Sequence, residues 1–184
     1  MNRIVTSREE ILEKSRQLLR EQGAAAVNIR SVAAACGVSV GSIYNYFSSK
    51  AELTAAVVES VWLEIFRPAA PGTGFSDCVR GLFSGLEEGS RQYPGFLRLH
   101  AAVFSDAEKP DGTPHMARLL AVLRQDLLRV LEQDSHVRPD AFDLAFSREQ
   151  LVEVVFSAAV AAMAAGQFDC SALLALLDRL LYRP

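Results

Sequence analysis

The sequence predicts an all-α protein of about nine helices, in which three short N-terminal helices precede a larger helical domain. Apolar residues recur at helical spacing from one end of the 184-residue chain to the other. Residues that favour helix N-caps stand immediately before several of these segments. No segment alternates between apolar and polar residues with the period of two that a strand requires. These three observations assign the chain to the all-α class.

Four segments at the N-terminal end begin with a cap residue and continue with apolar residues at helical spacing. They run from Ser7 to Gly23, over residues 29–36 after Asn28, over residues 40–47 after Ser39, and from Ser49 to about residue 66. Ser7 with Glu10 and Ser49 with Glu52 have the spacing of a capping box. Short links therefore separate four helices in the first third of the chain.

A proline- and glycine-rich linker separates these helices from the rest of the chain. Residues 67–74 read RPAAPGTG, which places a domain boundary at or just before this stretch. Beyond it, we predict helices over residues 75–89, from Pro94, from Pro114 to about residue 131, over residues 147–165, and over residues 172–182 after Asp169.

Composition excludes several classes of protein. Half of the residues are apolar and 22% are charged, which excludes a disordered or collagen-like chain. Charged residues precede any apolar run at the N-terminus, so we expect no signal peptide. The longest uncharged apolar stretch, residues 154–168, is shorter than the ~20 residues that cross a bilayer. The three cysteines have no zinc-site spacing. We expect a cytoplasmic protein without membrane contact, metal or cofactor.

Charge is distributed unevenly along the chain. Residues 1–50 hold seven lysines and arginines against four acidic residues, a net charge of +3. Residues 51–184 hold twelve against eighteen, a net charge of −6. A polyanionic partner would therefore contact the N-terminal quarter, although so small an excess can also arise by chance.

Residues 28–53 have the pattern of a helix-turn-helix. The first helix turns Val32 and Ala33 inward, Gly37 allows a tight turn, and the second helix turns Ile43 and Phe47 inward. The outward positions of the second helix carry no negative charge, as an approach to phosphates requires. These positions are Val40, Ser42, Tyr44, Asn45 and Tyr46.

Residues 35–53 read ACGVSVGSIYNYFSSKAEL, and this segment resembles the tetracycline-repressor (TetR-type) family of bacterial transcription regulators. The resemblance covers roughly residues 7–55. It departs from the family mildly, with Cys36 where a smaller residue is usual and Asn28 where threonine or serine is common. The resemblance implies a DNA-binding domain over residues 1–50 and a ligand-binding and dimerisation domain over residues 51–184. It also implies a repressor that binds a palindromic double-stranded DNA operator as a homodimer and is released by a small effector, which the apolar candidate lining given below predicts to be mostly hydrophobic.

The resemblance also implies roles for individual residues. Phosphate contacts are assigned to Tyr44, Tyr46 and Lys50, and the major-groove face to Ser39, Val40, Gly41, Ser42 and Asn45. Asn28, the cap of the preceding helix, is counted among the DNA-binding residues. Arg30 could contact a phosphate or lie on a solvated face. Lys50 stands at a helix N-terminus, where a cation is locally unfavourable, so its position fits a phosphate better than local stability.

The second domain carries two further predictions. The candidate lining of an effector pocket consists of Phe83, Phe96, His100, Phe104 and Met116, although residues of these types are more often ordinary core than ligand wall. The last two helices are apolar on more faces than a monomer easily covers, so we predict that they pair with a second copy in a four-helix bundle. The predicted interface comprises Leu151, Val155, Ala158, Ala162, Ala165, Leu173, Leu177 and Leu180. A deeply buried hairpin in a monomer is the alternative.

The sequence does not indicate an enzyme. His100, His115 and His136 have no metal-binding spacing, and the chain contains neither GxSxG nor a glycine-rich phosphate loop after a strand. A helical scaffold that binds only protein would leave the uncharged helix face and Lys50 unexplained. DNA binding without small-molecule control stays open as an alternative.

Overall fold

The described chain is helical throughout. The computed structural model describes residues 6–67, 69–70, 72–97, 100 and 114–183, without the side chains of residues 114–117. Every regular element in these ranges is a helix, which confirms the all-α prediction. The α-helices are α1 (Arg8–Gln22), α2 (Ile29–Cys36), α3 (Val40–Tyr44), α4 (Lys50–Ile65), α5 (Phe75–Gln92), α6 (Pro114–Gln133), α7 (Arg148–Ala165) and α8 (Ser171–Leu181), and a 3-10 helix covers Ala24–Ala26.

Side-chain caps explain where the first helices begin. The Ser7 hydroxyl accepts a hydrogen bond from the backbone N–H of Glu10 at 3.1 Å. The Asn28 side-chain oxygen accepts from the N–H groups of Arg30 and Ser31, both at 3.1 Å. Such bonds satisfy N–H groups that have no partner within the helix. The predicted caps of α1 and α2 are therefore confirmed.

Two helix ends and one capping box differ from the predictions. Helix α3 ends at Tyr44 instead of residue 47, because the N–H groups of Tyr46 and Phe47 both donate to the carbonyl oxygen of Ile43 and close a turn. Helix α5 continues to Gln92. At the start of α4, the two hydrogen bonds of the predicted Ser49–Glu52 capping box involve two serines, Ser48 and Ser49. The Ser49 hydroxyl accepts from the Glu52 N–H at 3.1 Å, whereas the Glu52 carboxylate accepts from the Ser48 N–H at 2.7 Å.

The chain forms two compact units. The first comprises the residues up to Glu64 together with Gln92–Pro94, and the second comprises Ile65–Arg91 and the residues from Gly95 onward. The boundary lies just before the linker over residues 67–74. All of α4 except its last residue, Ile65, belongs to the first unit. The sequence division after residue 50 assigned this helix to the second domain.

The first unit has an apolar core made by its four α-helices. Its central side chains are at most 3% exposed, namely Ile11 from α1, Val32 from α2, Ile43 from α3, Phe47, and Leu53 and Val57 from α4. Burial of such side chains stabilises a fold by ~1.5–3 kcal/mol each. All the elements that carry the predicted DNA-binding residues are anchored in this core.

In the second unit, α5 lies closely against the end of α4. A Cβ atom on Gly85 would lie 2.7 Å from the carbonyl oxygen of Ile65, and one on Gly89 would lie 2.7 Å from the Ile65 Cγ1. A Cβ atom on Gly81 would have no neighbour within 4 Å. Close packing thus explains two of the three glycines that recur along this helix, and Gly81 stays unexplained.

A buried carboxylate joins three parts of the second unit. Asp134, just after α6, accepts hydrogen bonds from the Phe75 N–H at 2.8 Å and from the Tyr182 hydroxyl at 2.7 Å. It also accepts from the His136 N–H at 3.0 Å. Asp134 therefore caps the start of α5 and binds Tyr182, the residue that follows α8.

Candidate nucleic-acid interface

The turn between α2 and α3 is tight and internally bonded. Gly37 adopts a left-handed conformation with φ 67° and ψ 27°, which glycine adopts without steric cost. The N–H of Val38 donates to the carbonyl oxygen of Ala33 at 3.0 Å, and the half-buried Val38 side chain packs against the core. The turn thus sets α3 across α2 in the arrangement of a helix-turn-helix.

Helix α3 presents an exposed face that carries no charge. Val40 is 40% exposed and Tyr44 is 49% exposed, and Gly41 and Asn45 are also exposed. The Ser39 hydroxyl accepts from the Ser42 N–H at 3.1 Å and pairs with the Ser42 hydroxyl at 2.9 Å. The geometry brings these groove-face candidates together on one short helix. No acidic residue occurs between Asn28 and Lys50.

The basic candidates lie on the helices before and after α3. Arg30, in the first turn of α2, and Lys50, the first residue of α4, are both exposed. The Asn28 side chain is committed to its helix, because its oxygen accepts two backbone N–H groups and its amide donates to the Ala26 carbonyl oxygen at 3.4 Å. Asn28 therefore orients α2, whereas Arg30 and Lys50 are available to a phosphate.

Tyr46 makes a contact that the sequence did not predict. Its hydroxyl donates a hydrogen bond to the backbone carbonyl oxygen of Thr6 at 2.5 Å, across 40 residues of sequence. Nearby, the Arg8 guanidinium lies 5.4 Å from the centre of the Phe47 ring. No sequence pattern signals either contact, because both depend on how α1 and α3 pack.

The carboxylate of Glu52 lies in the helix that carries Lys50. Two hydrogen bonds from Ser48, from its hydroxyl and from its backbone N–H, lower the pKa of Glu52, which keeps this carboxylate ionised at neutral pH. Glu52 lies in the first turn of α4, where a negative charge is favourable. Its hydrogen bonds to Ser48 fix the start of the helix that carries Lys50.

The effector candidates are described only in part. Phe83 and Phe96 are buried, at 4% and 7% exposure. The His100 ring lies 4.2 Å from the Phe96 ring, and its Nδ1 lies 2.8 Å from the Phe96 carbonyl oxygen. Since a carbonyl only accepts, Nδ1 carries the hydrogen in this bond, and burial lowers the pKa of His100. Phe104 and the Met116 side chain lie outside the described residues.

The candidate interface residues divide between two faces of the last two helices. Four of them are buried within this chain, at 8% exposure or less: Leu151, Val155, Ala162 and Leu177. Ala165 is exposed, and Ala158, Leu173 and Leu180 are half-buried. The outward face also carries Val154 at 51% and Leu176 at 63% exposure, which the sequence interpretation did not include. Since α7 is apolar on nearly every side, its sequence could not distinguish these faces.

The described residues contain no candidate metal site and no candidate membrane span. No group of three or more histidine, cysteine, aspartate or glutamate side chains is placed there to hold a metal ion. None of the helices described combines the length and the apolar character needed to cross a membrane.

These features define a helix-turn-helix protein with a larger helical unit, and comparison with known proteins identifies the family of its N-terminal part. The family described as "Bacterial regulatory proteins, tetR family" matches residues 11–57. The resemblance seen in the sequence is confirmed, and the N-terminal part of the chain is a TetR-family domain.

Relatives and solved structures agree with this assignment. The chain is 29% identical over 134 residues to the HTH-type transcriptional repressor DhaR of Mycobacterium sp. (strain GP1), which covers 68% of this chain and 60% of that protein. The fold is similar to BioQ in complex with its double-stranded DNA operator, with a TM-score of 0.56, 17% identity, and coverage of 96% and 98% of the two chains. It is also similar to SCO7222, a TetR from Streptomyces coelicolor, with a TM-score of 0.63, 21% identity, and coverage of 88% and 70%.

Proposed function

We propose that this protein is a transcriptional regulator that binds double-stranded DNA through its first unit. The observation that carries the proposal is the exposed, uncharged face of α3, which includes Val40, Tyr44 and Asn45. The helices before and after α3 in the chain carry the exposed cations Arg30 and Lys50. An uncharged helix face, with cations on the neighbouring helices, fits a major groove bordered by phosphates. The DNA complex of BioQ supports this proposal.

The proposed contacts separate into two groups. Arg30, Lys50 and the Tyr44 hydroxyl would bind phosphates, which contribute affinity but little sequence information. Val40 and Asn45 would meet base edges, where an amide discriminates between bases by ~1–3 kcal/mol when it forms a bidentate pair. Tyr46, whose hydroxyl donates to Thr6, would act by holding the start of α1.

We further propose that two copies pair through the outward face of α7 and α8. Val154 and Leu176 are large apolar side chains that a soluble monomer would leave in water. Ala158, Ala165, Leu173 and Leu180 would extend this face. A two-fold dimer presents two identical copies of α3 to DNA, so the operator would be palindromic.

The proposed regulator is a cytoplasmic repressor that a small hydrophobic effector releases from DNA. Repression is supported by the function named for DhaR. The half-buried His100, whose ring lies beside the Phe96 ring, would supply a polar group that orients a largely apolar ligand. Such an effector shifts DNA affinity only by its differential affinity for the two states, typically ~1–3 kcal/mol.

Selection from a randomised duplex library tests DNA binding directly. We expect the purified protein to enrich a palindromic sequence and to retard it in a gel, with affinity that falls as salt rises. Asn45→Ala should relax the preference at one position in each half-site, whereas Arg80→Ala, a change at an exposed arginine of the second unit, should leave the selected sequence unchanged. Failure to enrich any sequence would contradict the proposal.

A further inference from the structure

The first unit contains a tyrosine that comes from far along the chain. Tyr93 follows α5 directly, and Gln92–Pro94 belong to the first unit although α5 up to Arg91 belongs to the second. Its side chain is 1% exposed. The family match ends at residue 57, so Tyr93 lies outside the part of the chain that the comparison assigns.

Tyr93 closes a polar cluster between α1 and the end of α4. The Glu64 carboxylate forms an ion pair with the Arg16 guanidinium, whose Nε lies 3.0 Å away, and accepts a hydrogen bond from the Arg20 Nη1 at 3.3 Å. The Tyr93 hydroxyl donates to Glu64 at 3.0 Å and accepts from the Arg20 Nη1 at 2.9 Å. One hydroxyl thus connects an arginine of α1 with the carboxylate of α4, and both of its roles are used.

The ring of Tyr93 adds a second contact to this cluster. The Arg20 guanidinium lies 5.4 Å from the centre of the ring, within the range of a cation–π interaction. Burial, and next the charge of Glu64, raise the pKa of Tyr93 to about 12. The hydroxyl therefore keeps its hydrogen at neutral pH and donates it to Glu64.

The cluster connects α1 and α4, the two helices whose core residues pack around α3, the helix proposed to enter the major groove. Helix α1 contributes Ile11 to the core in which Ile43 of α3 is buried. Helix α4 begins at Lys50 and contributes Leu53 to the same core. A rotation of α1 against α4 would therefore change the distance between α3 and Lys50.

We propose that Tyr93 and Glu64 are positioning residues of the DNA-binding unit, which hold α1 against α4 in the geometry that binds DNA. This inference rests on the proposed function. The side chains of Arg16, Arg20 and Glu64 are 22%, 34% and 27% exposed, and ion pairs at such exposure contribute little to stability. The cluster contributes through its geometry, since the Glu64 carboxylate accepts hydrogen bonds from Arg20 and Tyr93 and pairs with the charge of Arg16.

Tyr93→Phe tests the proposal because it keeps the buried ring and removes only the hydroxyl. The probe is a duplex enriched by the wild-type protein, and the dissociation constant is measured by fluorescence anisotropy at a temperature where every variant is folded. We expect the dissociation constant to rise about tenfold. Tyr182→Phe is the matched control, because it removes a hydroxyl bonded to a carboxylate in the second unit, and it should leave the dissociation constant unchanged.

A double-mutant cycle distinguishes positioning from ordinary stabilisation. If Glu64 and Tyr93 act together, the double variant Glu64→Gln, Tyr93→Phe should raise the dissociation constant by less than the product of the two single effects. A purely stabilising role would lower the melting temperature and leave the affinity of the folded protein unchanged. Wild-type affinity in Tyr93→Phe would therefore overturn the proposal.

Amide hydrogen exchange without DNA separates this inference from the proposed function. If the wild-type protein enriches no duplex, the proposed function fails. The positioning of α1 is then still tested, since Tyr93→Phe should speed exchange at the C-terminal ends of α1 and α4 while Tyr182→Phe should not. Equal exchange in Tyr93→Phe and wild type would overturn the inference by itself.

Discussion

The hydroxyl of Tyr46 donates a hydrogen bond to the carbonyl oxygen of Thr6, which ties the end of α3 to the residue before the cap of α1. Thr6 is 5% exposed, so this bond forms at the edge of the core. A tyrosine hydroxyl has one hydrogen to donate. While it is bonded to Thr6, Tyr46 has none for a phosphate, although its sequence context assigns it one.

Tyr46→Phe should therefore act on stability more than on DNA affinity. We expect the free energy of unfolding in urea to fall by ~0.5–1.5 kcal/mol, the net value of one hydrogen bond, while DNA affinity stays within about twofold. Tyr44→Phe is the matched variant, since that ring is 49% exposed on α3. It should keep the stability and lower DNA affinity about threefold to tenfold. The reverse outcome would make Tyr46 the phosphate contact.

Lys50→Ala should change how DNA binding depends on salt. One phosphate contact fewer flattens the slope of log affinity against log salt by about 0.9. Arg80→Ala removes an exposed cation of the second unit and should leave the slope unaltered. A full slope in Lys50→Ala would mean that this lysine lies on a solvated surface away from DNA.

Two glycines of α5 should respond oppositely to alanine. Gly81→Ala meets no neighbour within 4 Å and should raise the free energy of unfolding by up to ~1 kcal/mol, because alanine is the better helix former. Gly85→Ala places a Cβ atom 2.7 Å from the Ile65 carbonyl oxygen and should lower it by ~1–3 kcal/mol. Equal stabilisation by both substitutions, measured in urea, would exclude the close packing of Ile65 on α5.

The Asp134 carboxylate should make stability fall at acidic pH. Burial opposes its charged form, but hydrogen bonds from the Phe75 N–H, from Tyr182 and from His136 outweigh this, and the pKa of Asp134 lies below its ordinary value. A depressed folded pKa contributes stability that is fully present above the unfolded pKa, near 3.9, and is lost as pH falls through the folded pKa. Urea unfolding of the wild type below about pH 5 should show this loss.

Tyr182→Phe and Asp134→Asn check the origin of this acid sensitivity. Tyr182→Phe removes one of the bonds that lower the pKa, so we expect a smaller loss of stability with falling pH and a cost of ~1–2 kcal/mol at neutral pH. Asp134→Asn, which cannot ionise, should remove this component entirely. An unaltered acid profile in Asp134→Asn would assign the effect to other carboxylates.

Leu176→Arg should disrupt the proposed dimer without unfolding the chain. Leu176 is 63% exposed, so an arginine there is tolerated in a monomer but would be buried without a partner in the interface. Sedimentation should show monomers with weakened DNA binding. Leu144→Arg is the control, because Leu144 is fully exposed in the segment before α7. This variant should stay dimeric. Dimers of Leu176→Arg would place the interface elsewhere.

Local sequence determined where α1 and α2 begin and where α2 ends. The caps at Ser7 and Asn28 and the left-handed Gly37 involve groups only two to four residues apart in sequence. Such bonds depend on short stretches of chain, so a pattern can reveal them. The same reasoning identified the inward Ile43 and Phe47, which are at most 1% exposed.

The contacts that distinguish this protein were decided by its tertiary structure. Tyr46 reaches Thr6 across 40 residues, and Tyr93 reaches Arg20 across 73, distances over which no local pattern carries information. The buried face of α7 was undecided in sequence, because a helix that is apolar all round has no preferred side. In the folded chain α7 packs against α6, Val155 is buried and Val154 is 51% exposed. Sequence alone determined which helices form and which of them reads DNA in the proposal, whereas packing selected the side chains that hold them in place.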